Sequence, residues 1–461
     1  MWTSAVAALL AAILVAPVQA GAQTAPPLDA PAAEERTVVT VRILFGQDRG
    51  ARRAALEDLT KRHGLAAIPI LILARRFAVD PRWTDRLDKT IAMLGKTPAR
   101  NNWFDWMLWL QAQTDLPPFP GHAQVLAEIH ARIDPDFRLF FPEGVAHRIN
   151  LGEIAWGGVV KDGIPDLTNP DFLPQGKKPD LTDDELVFGV EINGDARAYP
   201  LRILDWHELF NDVIGGVPVT LAYCTLCGSG ILYDGRVQGR DRPLTFGTSG
   251  FLYRSNKLMY DKATQSLWNQ FTGTPVVGPL AHSGLKLSVR PVVLTRWADW
   301  RSAHPNTRVL SPDTGHRRRY EPGAAYGTYF ASPDLMFPHR TDDGRLPPKA
   351  FVFALRGDAE KAWPLTLFEG GAVINDRAGR FDVVLVGNAA GRTVRAYRAD
   401  GIRFAQGPEP GTLAGDGIRW RMSEAALVAE DGRRLSRLPG HVAYWFAFAG
   451  FLEGQGVLAD G

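Results

Sequence analysis

The sequence predicts an α+β protein: a helical, HEAT-like N-terminal segment, then a β-rich domain built from two duplicated units. Three observations predict it. Apolar residues recur at three- and four-residue steps from about Arg36 to Leu139. From about Glu153 onwards, short β-branched runs alternate with Gly, Pro, Asn and Asp turns. One stretch of that β region then recurs further along the chain at a constant offset.

The first 20 residues read as a signal peptide. The apolar run Ala5–Ala16 is too short to span a bilayer, and Val18 and Ala20 satisfy the small-residue cleavage rule, although no Lys or Arg precedes the run. Cleavage is expected after Ala20, giving an exported protein, periplasmic or extracellular, with no transmembrane span. Residues 21–35 are rich in Pro and Ala and read as a disordered linker. The full sequence has 45% hydrophobic and 22% charged residues, enough apolar content for a real core. Net charge is +2, so no nucleic-acid partner is expected. The one basic cluster, HRRRY at His316–Tyr320, reads as a solvated loop.

Residues 36–139 form a helical accessory segment that the composition marks as separable. Its helical pattern breaks at Gly64 and Pro69. Trp103, Trp106 and Trp109 are three apart, so they share a helix face and read as core packing.

The β-rich domain is expected over residues 153–450, with a first unit at about 184–246 and a second at about 348–405. Tyr199-Pro200 aligns with Trp363-Pro364, Asn211-Asp212 with Asn375-Asp376, and PVTLAY with DVVLVG. On that alignment Cys224 becomes Asn388, Cys227 becomes Gly391 and His207 becomes Gly371. The copies share the scaffold, and the first alone carries the reactive side chains.

Cys224 and Cys227 are the only cysteines, set in LAYCTLCGSGILYD. Alternation of Val217, Val219, Leu221 and Tyr223 with Thr220 and Ala222 runs a strand into the first cysteine, and ILYDGRV resumes one after GSG. The pair is therefore expected on a hairpin, and not at a helix N-terminus where a thioredoxin-type pair sits. CTLCG on a hairpin resembles half of a rubredoxin or zinc-ribbon knuckle, in which the Gly permits a positive φ. A metal there must recruit further ligands. His207, in LDWHELFND, leads; Met259, Asp205 and Asp234 are weaker candidates. Two thiolates with His suit one transition metal, Cu, Zn or Fe. A redox-active pair and an inert disulfide stay open beside it.

Further polar residues form a candidate ligand-binding set: Lys161 and Asp162 in VKDGIP, with Asp261, Trp268 and Gln270 in MYD and SLWNQFTG. There is no G-x-S-x-G elbow and no H-E-x-x-H helix; Ser249 in FGTSGF matches the elbow in part, with Phe251 where the second Gly is required.

The strings GGVVKDGIPDL, ARAYPLRILDWHELFND, YCTLCGSG, FGTSGFLYRSNKLMYDKATQSLWNQFTG and WADWRSAHPNT resemble a prokaryotic family catalogued as domain of unknown function 3179. The resemblance covers about Glu153 to Gly450. Members commonly carry Pro after the first Cys, where this chain has Thr225. The family implies a domain boundary and no activity. Three readings follow: an exported metal-binding protein or metalloenzyme, a thiol–disulfide oxidoreductase using the same pair, or a non-catalytic binding module with a structural disulfide. The sequence names no substrate and no partner.

Overall fold

The computed structural model describes residues 33–356, 360–451 and 457–459. The expected signal peptide and residues 21–32 of the expected linker lie outside them. Ala33–Glu35, read as linker, instead begin the first helix.

Six helices open the described chain: α1 (Ala33–Leu44), α2 (Arg49–His63), α3 (Ile68–Phe77), α4 (Pro81–Gly95), α5 (Trp103–Gln111) and α6 (His122–His130). Their ends follow local chemistry. Asp48 caps α2 by accepting from the Ala51 N–H at 2.6 Å, and Asn102 caps α5 by accepting from Asp105 at 2.8 Å. Asp80 caps α4 by accepting from Arg82 at 3.0 Å, with Pro81 in the first turn. Gly64 ends α2 at φ 52°, and Pro69 falls in the first turn of α3, where its missing N–H has no intrahelical partner to lose. Trp106 is buried and donates its indole N–H to Asp88 at 2.7 Å, while Arg76 and Arg100 lie over Trp103 and Trp109.

A five-stranded antiparallel sheet completes the helical layer: Ile154–Trp156, Phe246–Tyr253, Asn256–Asp261, Leu267–Asn269 and Thr274–Val277. Ile70, Leu126 and Phe137 share one hydrophobic cluster with Phe251, Leu258 and Tyr260. The sequence marked the helices as separable, yet their apolar face is finished by these strands. Removing the helices would bare Phe251, Leu258 and Tyr260 to water.

From Leu186 and again from Phe351 the chain runs through the same series of elements. The first run has a hairpin (Leu186–Ile192, Asp195–Pro200), a short helix (Leu201–His207) and a meander (Leu209–Ile214, Val217–Cys224, Ser229–Asp234). The second has a hairpin (Phe351–Leu355, Lys361–Pro364), a helical turn (Leu365–Phe368) and a meander (Ala372–Ala378, Phe381–Asn388, Thr393–Arg398). After an insertion each resumes with strand, helix and strand, which flank its own hairpin. Val293–Arg296 pairs antiparallel and Arg308–Val309 parallel in the first; Gly440–Tyr444 and Val457–Leu458 do the same in the second.

Side-chain contacts correspond as well. Asp212 accepts from the Tyr199 hydroxyl at 2.5 Å and from Arg197 at 2.6 Å; Asp376 accepts from the Trp363 indole at 2.7 Å and from Lys361 at 2.8 Å. Asn211 clips the backbone of Phe246 by two hydrogen bonds at 2.9 Å, and Asn375 clips Phe404 by two at 2.7 Å. In the second run this joins the outer strands of an eight-stranded sheet, Ala372–Ala378 and Phe404–Gln406, into a nearly closed barrel. No helix among the described residues is long and apolar enough to cross a membrane.

Candidate functional site

The cysteines sit on the hairpin that the alternation predicts. Strand Val217–Cys224 ends in the 3-10 turn Thr225–Cys227, Gly228 takes φ 57°, and strand Ser229–Asp234 leads away. Both thiols are free and buried, with their sulfurs 2.9 Å apart. A Cβ on Gly228 would lie 3.0 Å from Phe351 and 3.2 Å from Tyr444, so the turn is pressed against the second run's strands.

A second hairpin tip covers the sulfurs. Between strands Phe246–Tyr253 and Asn256–Asp261 the two-residue turn Arg254-Ser255 has φ 47° and 60°. Such turns favour Gly and Asn, so these two residues are held at a cost. The turn aims three groups at the pair. Asn256 Nδ2 lies 3.2 Å from Cys227 Sγ, the Ser255 carbonyl lies 3.4 Å from the same sulfur, and the Lys257 N–H reaches Cys224. Gln270 fixes the Asn256 amide: its Oε1 accepts from Asn256 Nδ2 at 2.8 Å, while its Nε2 donates to Ala222 O at 2.7 Å and Ser229 O at 3.2 Å.

These contacts make the two thiols unequal. Burial works against a Cys224 thiolate, but Cys227 and the backbone N–H groups of Lys257 and Cys227 outweigh it and hold this thiol below its ordinary value. Burial and the neighbouring Cys224 push Cys227 far up. Glu208 supports the turn from behind. Its Oε1 accepts from Thr225 Oγ1 at 3.0 Å and from the Tyr326 hydroxyl at 2.9 Å, and its Oε2 pairs with Lys257 Nζ at 3.0 Å. Tyr326 belongs to a strap, residues 326–349, that is bonded to the site through its tyrosines. Tyr329 donates to Leu226 O at 2.7 Å, and Lys349 Nζ ties the strap to itself at Tyr329 O and Ser332 O.

His207, expected as the third ligand beside the cysteines, has both ring nitrogens hydrogen-bonded to other groups. Its Nδ1 bonds Pro165 O at 2.8 Å and its Nε2 the Tyr320 hydroxyl at 2.6 Å, so both ring nitrogens are engaged elsewhere. Burial, the largest effect, lowers its pKa to about 4. Asp234 is ion-paired with Arg236 and Arg290, at 2.9 and 2.6 Å, which holds it at about 2 against the effect of burial. Met259 is buried in the cluster that contains both cysteines. No group of three or more His, Cys, Asp and Glu arranged to hold a metal occurs among the described residues.

Of the ligand candidates, Gln270 joins the cysteine site. Lys161 pairs with Asp162 at 3.0 Å, and Asp162 accepts from the Tyr260 hydroxyl at 2.8 Å, a separate cluster. Asp261 accepts from the Trp268 indole at 2.9 Å and from Thr264, a turn-fixing role. Ser249 bonds back to Leu258 O and to the Phe251 N–H, with no partner base among the described residues. Sequence reasoning missed Glu208, Asn256, Lys257, Tyr326 and Tyr329. The non-Gly two-residue turn in LYRSNKLMYD was the legible signal for Asn256 and Lys257.

Asp205 is buried, and its Oδ1 has no hydrogen-bond partner. Burial, against the Tyr223 hydroxyl, pushes it up to about 7. In the unfolded chain it titrates near 3.9, as about the ordinary carboxylate value. The folded protein therefore holds an extra proton between those values, and stability falls as pH rises through about 4 to 7, then levels. Asp205→Asn should remove that slope. In urea melts at matched pH the variant should gain on the wild type between about pH 4 and pH 8; a constant difference across that range would refute the assignment.

No curated protein and no solved structure matches the chain. The family described as a protein of unknown function (DUF3179) matches residues 161–455, a span that holds the cysteine hairpin, the turn that covers it, the strap, the first run of matching elements and all of the second but its last strand, Val457–Leu458. The chain belongs to that family.

Proposed function

We propose that Cys224 and Cys227 form a buried dithiol–disulfide couple in an exported protein. The observation that carries this reading is the 2.9 Å sulfur separation. The engagement of both His207 nitrogens with Pro165 O and the Tyr320 hydroxyl supports the redox reading over a three-ligand clip. Cys224 is the nucleophile. Its thiolate attacks one sulfur of a substrate disulfide and expels one thiolate. Cys227 then attacks Cys224 Sγ, the second substrate thiolate leaves with the Cys227 proton, and two electrons have passed to the substrate. Asn256 and the Lys257 N–H orient the sulfurs, and the strap governs access.

The matching order of elements and the matching Asp212/Asp376 and Asn211/Asn375 contacts support reading the two runs as an internal duplication in which the first copy carries the chemistry.

The test is thiol counting in denaturant after equilibration of the reduced, anaerobically purified full chain with oxidised glutathione. Both thiols should vanish together as one intramolecular disulfide, return on reduction, and form no such bond in Cys224→Ser. Stoichiometric Zn, Cu or Fe in the purified protein, lost in Cys224→Ser, would overturn the redox reading in favour of the metal one.

A further inference from the structure

Away from the cysteines, the ends of α1, α3 and α6 and the start of α4 enclose a cleft of about 650 Å³. Leu44, Ala74 and Ile129 form its floor, and Phe77, Trp83 and Trp156 line its walls. All but Phe77 of these are buried against the protein interior. That size and lining are those of a small-molecule site.

The rim is cationic. Arg49, Arg52 and Arg132 reach it, with Asp80 as the one acidic residue of the lining. Asp80 already serves α4, its Oδ1 accepting from Arg82 N. Its Oδ2 stands 3.8 Å from both Arg49 and Arg52, beyond hydrogen-bonding range. The Arg52 Nε is buried without an acceptor. Arg132 reaches backbone carbonyls, Phe45 O at 3.3 Å and Arg42 O at 3.5 Å. Arg49 and Arg52 thus share one carboxylate, and Arg132 has only backbone carbonyls as hydrogen-bond partners among the described residues, above an apolar floor. A ligand that satisfies both needs an apolar body and an anionic head that a guanidinium fork can grip.

We infer that this cleft binds an amphiphilic carboxylate, a free acyl-chain anion, with its chain on Leu44, Ala74 and Ile129 and its head between Arg52 and Arg132. The site is independent of the cysteine chemistry.

Titration calorimetry of the full chain with decanoate tests it. One saturable site is expected, with decanol at least about tenfold weaker, because loss of one charge-assisted contact is worth about a factor of ten. Arg52→Gln and Arg132→Gln should each weaken decanoate by about tenfold with little effect on decanol. Ala78→Phe, which fills the cleft wall, should abolish binding of both while the thermal melt stays cooperative. Equal affinity for decanol and decanoate, unchanged affinity in Ala78→Phe, or no saturable binding would overturn the inference. So would binding to vesicles of anionic phospholipid without binding of decanoate, which would place the head group on a membrane and not on a free acid.

Discussion

Asp212→Ala is expected to cost the fold about 3–5 kcal/mol, the range for removing one partner of a buried pair. Asp212 and Arg197 are both buried, and the variant leaves the Arg197 guanidinium and the Tyr199 hydroxyl without their shared acceptor. Asp195 still pairs with Arg197 at 2.7 Å, so the loss belongs at the lower end of that range. The same substitution in the second run gives a contrast. Asp376 and Lys361 keep 25% and 15% side-chain exposure, so water can replace part of what Asp376→Ala removes, and about 1 kcal/mol is expected. Urea melts of both variants at one pH measure the difference. Equal losses would show that burial does not set the cost here.

The second large effect concerns access to the cysteines. Tyr326→Phe with Tyr329→Phe cuts the two hydrogen bonds by which the strap holds Glu208 and Leu226. A bond to a carboxylate is worth about 1.5–3 kcal/mol and a neutral one about 0.5–1.5. Local opening should become more frequent on the order of 100-fold, and alkylation of Cys224 by iodoacetamide should speed up by that factor. Full labelling in denaturant would be unchanged. An unaltered native-state rate would mean that the thiols are reached by another route, and the strap would lose its gating role.

Much of this architecture was legible in the sequence. Three- and four-residue spacing marked the helices, and Gly64 and Pro69 fell where α2 ends and α3 starts. Strand alternation placed Cys224 at the end of a strand, as observed. The repeat alignment predicted which positions correspond, and the 3-10 turns Thr225–Cys227 and Ala389–Gly391 fall at those positions. What escaped depends on contacts between distant segments. Val293–Arg296 and Gly440–Tyr444 carry no shared motif, yet each flanks its own hairpin. His207 stood near the cysteines in sequence, but the left-handed Glu208 that follows its helix turns the chain so that Glu208, and not His207, faces the cysteine turn. The helical segment has a strong period of its own, but periodicity says nothing of which strands share its apolar cluster.

The knuckle itself is instructive in another way. Gly228 has φ 57°, and its counterpart Arg392 holds φ 49° while carrying a full side chain. The backbone of the turn therefore strains a side chain without excluding one, and at Gly228 the rings of Phe351 and Tyr444 would also have to yield by a few tenths of an ångström. Asn388 and Gly391 thus mark a recipient for a graft, in which the Thr393 hydroxyl, 2.9 Å from a Cβ at Gly391, must turn aside. A chain carrying Asn388→Cys and Gly391→Cys would own a transplanted pair on a near-identical turn, without Asn256, Gln270 or the strap. Titrating native and transplanted pairs in one molecule would separate what the bare loop contributes from what its neighbours impose.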